Sequence, residues 1–199
     1  LREHFRCQPE IISLCDVLCG YGLVVRTVRA TMANEVPALT HPLLFMDVQG
    51  EQVRAGGSWF NPREIDAIMG LLEQLGRSGV PWREVGIITP YVGQLNALRE
   101  RVQAMGIPVE RELDLDRDES VKQSGIAIGT VHRFQGGERR VVLFTTVATQ
   151  ARSLTFLNGR VNLTNVAVSR AREHLVVVGS AGLLNEGAYT RFLVAHAKP

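Results

Sequence analysis

Short runs of apolar, largely β-branched residues recur along this chain at Leu43 to Val48, Val85 to Thr89, Ile126 to Val131, Val141 to Val147 and Leu175 to Gly179, separated by longer stretches of helical period. Alternation of this kind belongs to α/β proteins, in which helices carry the chain back so that successive strands run parallel, and also cover the sheet's faces. The expected fold is a mostly parallel sheet flanked by helices.

Asn61, Pro62 and Glu64 have the composition of a helix start, and Ile65, Ile68, Leu71, Leu72 and Leu75 then recur at helical spacing until Gly76 and Gly79 close the segment. A second helix is expected from Gln94 to Met105, with Leu95, Leu98 and Val102 on one face and Gly106-Ile107-Pro108 ending it. A third is expected over Asn165 to Arg172 and a fourth over Tyr189 to Ala197. No internal repeat or low-complexity linker divides the chain, so residues 1–199 are expected to form a single domain. The chain opens on Leu1 and runs straight into a patterned segment, which reads as a piece of a longer protein.

Hydrophobic residues make up 45% and charged residues 21%, with a mean hydropathy of +0.04, the profile of a soluble protein able to bury a full core. A net charge of +2 gives no global pull on a polyanion, so any nucleic-acid contact must come from local placement of residues. The only lysines are Lys122, followed by Gln123, and Lys198, followed by Pro199, so the sequence contains no Gly-Lys-Ser/Thr phosphate loop. Three cysteines, an odd number without a signal peptide, point to a reducing, cytoplasmic setting. No apolar run approaches membrane-spanning length.

Cys15 and Cys19, with Cys7 and His4 upstream, match neither the paired CxxC pattern nor a ferredoxin run, and Ile11, Ile12, Leu14 and Leu18 set the two later thiols in an apolar helix. Buried thiols are expected. Glu110 to Glu119 holds six acids in ten residues, but counting from Asp114 the calcium-loop positions that require Gly and Glu carry Glu119 and Gly125. A solvated hairpin or loop is expected there.

Two segments carry candidate chemistry. Thr130-Val131-His132-Arg133-Phe134-Gln135-Gly136-Gly137-Glu138 follows one strand and precedes another, so it leaves a strand's C-terminal end, where open α/β sheets bind ligands. Its glycines allow backbone amides to approach a phosphate, and Gln135 and Glu138 offer hydrogen bonds to a sugar or base. In Asn165-Val166-Ala167-Val168-Ser169-Arg170-Ala171-Arg172, two arginines two apart are expected on different sides of a short helix, where guanidinium groups can stabilise charge on a transferring phosphoryl group.

Taken in order, His4-Phe5-Arg6-Cys7-Gln8-Pro9-Glu10, Ile87-Ile88-Thr89-Pro90-Tyr91, Thr130 to Glu138 and Asn165 to Arg172 resemble the C-terminal half of superfamily 1 helicases of the Upf1-like group. They are similar to that family's YRMHP-like segment, motif IV, motif V with its FQG-x-E core and motif VI with its NVA-x-[ST]-RA-x core. Phe5 stands where many members have Tyr, Gln8 where His is usual, and Gly137 where Arg or Asp is frequent.

The resemblance implies a RecA-like (P-loop NTPase-type) fold and the second motor domain of an ATP hydrolase, with ATP and Mg2+ held mainly by an N-terminal RecA-like domain of the same protein. It implies Arg6 and Arg170 as catalytic arginine fingers, Gln135, Gly136, Glu138 and Arg172 in the nucleotide cleft, and Phe5 against the adenine. Thr89, Pro90, Tyr91, Thr130 and His132 would face single-stranded DNA or RNA, with 5′ to 3′ movement implied. The isolated chain is expected to be inactive. The competing expectation is a non-catalytic α/β module that binds a nucleotide or a partner with the same surface. A paired transition-state clamp at Arg6 and Arg170 favours the motor. No strand is followed by GxGxxG, which disfavours a dinucleotide-binding enzyme.

Overall fold

The computed structural model describes residues 3–4, 7–26, 36–110, 125–131, 134, 137–159 and 161–199. Along the chain the elements are β1 (Glu3–His4), α1 (Pro9–Cys19), β2 (Val24–Val25), β3 (Leu43–Asp47), β4 (Val53–Ala55), β5 (Ser58–Phe60), α2 (Pro62–Arg77), β6 (Val85–Thr89) and α3 (Val92–Ala104). They continue with β7 (Ala127–Thr130), β8 (Arg139–Thr145), α4 (Ala151–Asn158), α5 (Val161–Val168), β9 (Ala171–Gly179), α6 (Ala181–Leu184) and α7 (Thr190–His196).

The five expected strands form one sheet of order β3-β9-β8-β6-β7, and every pairing in it is parallel. Side chains of a strand alternate between faces. On β8, Val142 and Phe144 enter one core while Val141 and Leu143 enter the other; on β9, Leu175 and Val177 part in the same way from Val176 and Val178. Both faces are therefore covered, which explains why these strands read as unbroken apolar runs. Helix α1 packs with α5 and α7 on the first face, and α2 and α3 lie together on the second.

Helix α2 starts as its sequence requires: the Asn61 side chain accepts hydrogen bonds from the N–H groups of Arg63 and Glu64, and Pro62 opens the first turn. The second and fourth expected helices appear as α3 and α7 with ends shifted by one or two residues. The third is displaced. Helix α5 ends at Val168, and Ala171 and Arg172 already belong to β9, which begins four residues before the expected Leu175. The Arg139 N–H donates to the Arg170 carbonyl at 2.9 Å and pairs residue 139 with Ala171, so both strands lengthen together. The two arginines at 170 and 172 thus flank a turn and a strand start rather than a helix.

Unanticipated elements are α4, α6, the short parallel pair β1–β2 and the antiparallel hairpin β4–β5. The crossover from β7 to β8 uses eight residues, 131 to 138, in place of a long helix. Phe134 anchors it. A Cβ on Gly86 would lie 2.7 Å from the Phe134 ring and one on Gly129 3.1 Å from it, so two glycines on neighbouring strands leave the seat that the ring fills.

Cys7 and Cys15 are buried, Cys19 is half-buried, and all three are free thiols. Burial pushes the Cys15 thiol up to about 12, with Cys7 and Cys19 adding to the rise. Of the acidic segment, residues 111–119 lie outside the described residues, while the Glu110 side chain is largely buried and pairs with Arg139 at 2.6 Å. Among the described residues no helix is long and apolar enough to cross a membrane.

Candidate functional site

The motif residues divide between the two ends of the sheet. Thr89 closes β6 and Thr130 closes β7, paired with each other, so Thr89, Pro90, Tyr91 and Thr130 stand at the C-terminal edge. Glu138, Arg170 and Arg172 stand at the opposite edge, where Arg139 of β8 pairs with Ala171 of β9. The seven residues of β8 put about 20 Å between these edges. The segment from 130 to 138 leaves the C-terminal end of β7, as expected, but ends at the N-terminal end of β8, so its first and last residues stand at opposite ends of the sheet. Phe5, Arg6, His132, Gln135 and Gly136 lie outside the described residues.

At the N-terminal edge two arginines, Arg139 and Arg140, are neutralised. Arg139 pairs with Glu110 at 2.6 Å, and Arg140 with Glu173 at 2.5 Å and Glu84 at 3.9 Å. Arg170 differs: it is half-buried, its Nε donates to the Val166 carbonyl at 3.3 Å, and among the described residues no carboxylate pairs with it. Arg172 is exposed and likewise lacks a carboxylate partner among them. The Gln8 N–H donates to the Arg172 carbonyl at 2.9 Å, which joins the N-terminal motif to the arginine segment across more than 160 residues of chain. Gln8 is 1% exposed, and its Oε1 has no hydrogen-bond partner among the described residues, as is true of Asn165 Oδ1. Guanidinium groups without a carboxylate partner among the described residues, half-buried at Arg170 and exposed at Arg172, fit the phosphates of ATP by their donor chemistry. No cluster of three His, Cys, Asp or Glu side chains that could hold Mg2+ occurs among the described residues.

At the C-terminal edge, Thr89 is fully buried and its Oγ1 accepts from the Tyr91 N–H at 3.4 Å. Its side chain braces the turn into Pro90 and Tyr91. Thr130 is 9% exposed, and Pro90 and Tyr91 are half-buried. Burial pushes the Tyr91 phenol up to about 12, so it is neutral at any working pH. Its ring lies 5.2 Å from that of Phe156 on α4, which is 48% exposed.

Beneath this edge is a buried polar network that sequence reasoning missed. Gln94 Oε1 accepts from the Asn61 N–H at 2.8 Å, and Gln94 Nε2 donates to Thr145 Oγ1 at 2.8 Å. Thr145 donates to Glu64 Oε2, which also accepts the Val147 N–H at 2.9 Å, while Asn61 Nδ2 donates to Glu64 Oε1 at 3.1 Å. Val147 holds φ at +64°, a strained conformation for a β-branched residue, and its bond to Glu64 fixes the turn that leaves β8. Asn61 and Glu64 were legible as a helix start; their second use needs the third dimension.

Fold and site together define an α/β domain with one polar face at each end of its sheet. A family model described as an AAA domain matches residues 1–182, and the chain belongs to that family. Relatives include the putative helicase MOV-10 of Gallus gallus, 35% identical over 80% of this chain and 18% of that protein. The 5'-3' DNA helicase ZGRF1 of Mus musculus is 28% identical over 100% of this chain and 10% of its own length. DNA polymerase alpha-associated DNA helicase A of Saccharomyces cerevisiae is 30% identical over 79% and 22%. The chain is a superfamily 1, Upf1-like helicase domain, and it spans about a fifth or less of these relatives' lengths. The crystal structure of the C-terminal domain of a possible DNA helicase from Lactobacillus plantarum superposes with a TM-score of 0.57 at 13% identity, covering 98% of this chain and 97% of that one. That likeness bears on the fold, which is RecA-like.

Proposed function

We propose that residues 1–199 are the second RecA-like domain of an ATP-dependent superfamily 1B helicase, closing on ATP held mainly by an N-terminal RecA-like domain of the same cytoplasmic protein. The observation that carries this reading is Arg170, half-buried at the N-terminal edge without a carboxylate partner among the described residues while Arg139 and Arg140 beside it are neutralised. A guanidinium so prepared meets an anion supplied from across an interface. With Arg6 it acts as an arginine finger, the role worth about 10³ to 10⁵ in rate where charge develops on a transferring phosphoryl group. Glu138 and Arg172 border the same cleft, to which the resemblance also assigns Gln135, Gly136 and, against the base, Phe5. ATP bound there supplies the transferable phosphoryl group.

At the other edge, Pro90, Tyr91 and Thr130 contact single-stranded DNA or RNA, a role the resemblance also gives His132. Contacts to phosphates and base faces carry little sequence information, which suits a motor that must pass over any sequence. The rigid sheet links the edges, so closure on nucleotide alters the grip on the strand, and the resemblance supports 5′ to 3′ movement. Strand displacement by the full-length protein on matched DNA and RNA duplexes tests this: ATP-dependent unwinding of at least one is expected, and none of either would favour a binding module.

A further inference from the structure

The hairpin β4–β5 takes no part in the reading above, yet it is built into the C-terminal edge from two sides. Gly56 and Gly57, with φ of +55° and +81°, make its tight turn. Its base is tied to α4: the Gln52 N–H donates to Thr149 Oγ1 at 3.0 Å, and Gln52 Oε1 accepts from the Thr149 N–H at 3.1 Å and from Ser153 Oγ at 2.5 Å. Its second strand is tied to α3, where the Gly93 N–H donates to Ser58 Oγ at 3.0 Å. A Cβ on Gly93 would lie 2.7 Å from the Trp59 carbonyl oxygen, so the absence of a side chain there lets the hairpin seat.

Hairpin, α3 and α4 together present an aromatic surface that the core does not use. Trp59 is half-buried, and the Arg54 guanidinium lies 5.9 Å from the centre of its ring. Tyr91 rests on Phe156, and Phe156 and Val92 are 48% and 53% exposed. The charge is one-sided at the helix starts: α4 carries exposed Arg152 and no acid, and the first turn of α3 has no acid either. Exposed Glu51 is the acid at the hairpin's base.

We propose that Arg54, Trp59, Tyr91 and Phe156 form a stacking ledge that carries single-stranded nucleic acid away from the C-terminal edge and over the hairpin. The proposal rests on the strand-binding role given to that edge and adds residues outside the four motifs. Rings of this kind receive bases of any identity, and arginines beside them meet phosphates and stack on base faces. The hydrogen bonds at Gln52 and Ser58 hold the ledge rigid, so little ordering is needed when a strand arrives.

The test is binding of a fluorescein-labelled oligothymidylate and oligouridylate, about 15 nucleotides long, to the full-length protein by anisotropy. Trp59→Ala and Phe156→Ala are each expected to weaken binding at least about fivefold, and Arg54→Ala to lower the salt slope by about one. Trp59→Phe should retain most of the affinity, which separates stacking from loss of fold. Photocrosslinking with an oligonucleotide containing 5-iodouridine should mark Trp59 or Phe156. Wild-type affinity in Trp59→Ala and Phe156→Ala, with weakened binding in Thr130→Ala, overturns the ledge and leaves the strand path standing. No binding by the wild-type protein at low salt removes both.

Discussion

Glu64 and Thr145 are 81 positions apart in sequence, yet the hydroxyl at the end of the central strand β8 donates to the carboxylate at the start of helix α2. The bond fixes a crossover helix to the middle of the sheet and sets the depth at which the C-terminal edge is built. Glu64 is fully buried, and that burial raises its carboxyl to about 7 against the opposing pull of hydrogen bonds from Thr145, Val147, Asn61 and Thr146.

A folded-state carboxyl raised in this way binds more protons than the unfolded chain between its ordinary value of 4.5 and about 7, so its contribution to stability falls as pH rises through that window. Urea unfolding from about pH 5 to about pH 8 should show this loss in the wild-type chain and a flatter profile in Glu64→Gln. Glu64→Ala should cost about 2–4 kcal/mol near pH 5, because it strands the buried donors of Thr145, Val147 and Asn61, and less towards pH 8, where the wild-type chain has lost the titrating contribution. Identical pH profiles for wild type and Glu64→Gln would show that the buried carboxyl is not the titrating group.

The 199-residue chain on its own is expected to fold but not to hydrolyse ATP, since its sequence has no phosphate loop to hold the substrate for in-line attack. Weak nucleotide binding at the arginine edge is compatible with this. Strand-stimulated phosphate release by the purified chain, above a mock preparation, would refute it.

In the full-length protein Arg170→Ala should lower turnover at least about 100-fold while changing nucleotide affinity much less, because the lost contact is strongest in the transition state. Arg6→Ala should behave alike, and the double variant should lose less than the product of the two, as residues acting as a unit do. Near-normal turnover in both single variants, with strand binding abolished, would move these arginines to the nucleic-acid face.

Much of the sheet was legible because a strand buried on both faces must be largely apolar, as β6 and the inner parts of β8 and β9 are. Helix α2 was legible because Asn61 and Pro62 act within one turn of chain. The strand ends were not: Arg139, Arg140 and Glu173 are charged, and they join the ladder through pairing partners more than 30 residues away. Hairpin β4–β5 escaped notice because its strands of three residues are half-exposed or exposed and its contacts are with α3. For the site, the candidate motif segments were legible in the sequence, but not where the fold puts them. Their distribution over opposite edges follows from the direct crossover of residues 131–138, and nothing in their spacing announces it.

If the C-terminal edge binds the strand as proposed, that distribution makes strand binding separable from hydrolysis. Tyr91→Ala removes a neutral ring packed on Phe156 and should weaken single-strand binding by about 1–3 kcal/mol, the range of a lost base-stacking contact. The loss should be nearly the same at every salt concentration, since stacking neutralises no phosphate and releases no counterion. Thr89→Val should leave strand affinity close to wild type, because Thr89 is buried and its hydroxyl serves only the Tyr91 N–H among its described contacts. Thr130→Ala, on the neighbouring strand end, should weaken binding. All three variants should keep basal ATPase, with Arg170 about 20 Å away at the other end of the sheet. The decisive measurement is strand affinity across a salt series, beside ATP turnover with and without a strand. Equal affinity for wild type, Tyr91→Ala and Thr130→Ala at every salt concentration would take the strand off this edge, and loss of basal turnover in the same variants would show that the edges are not separable.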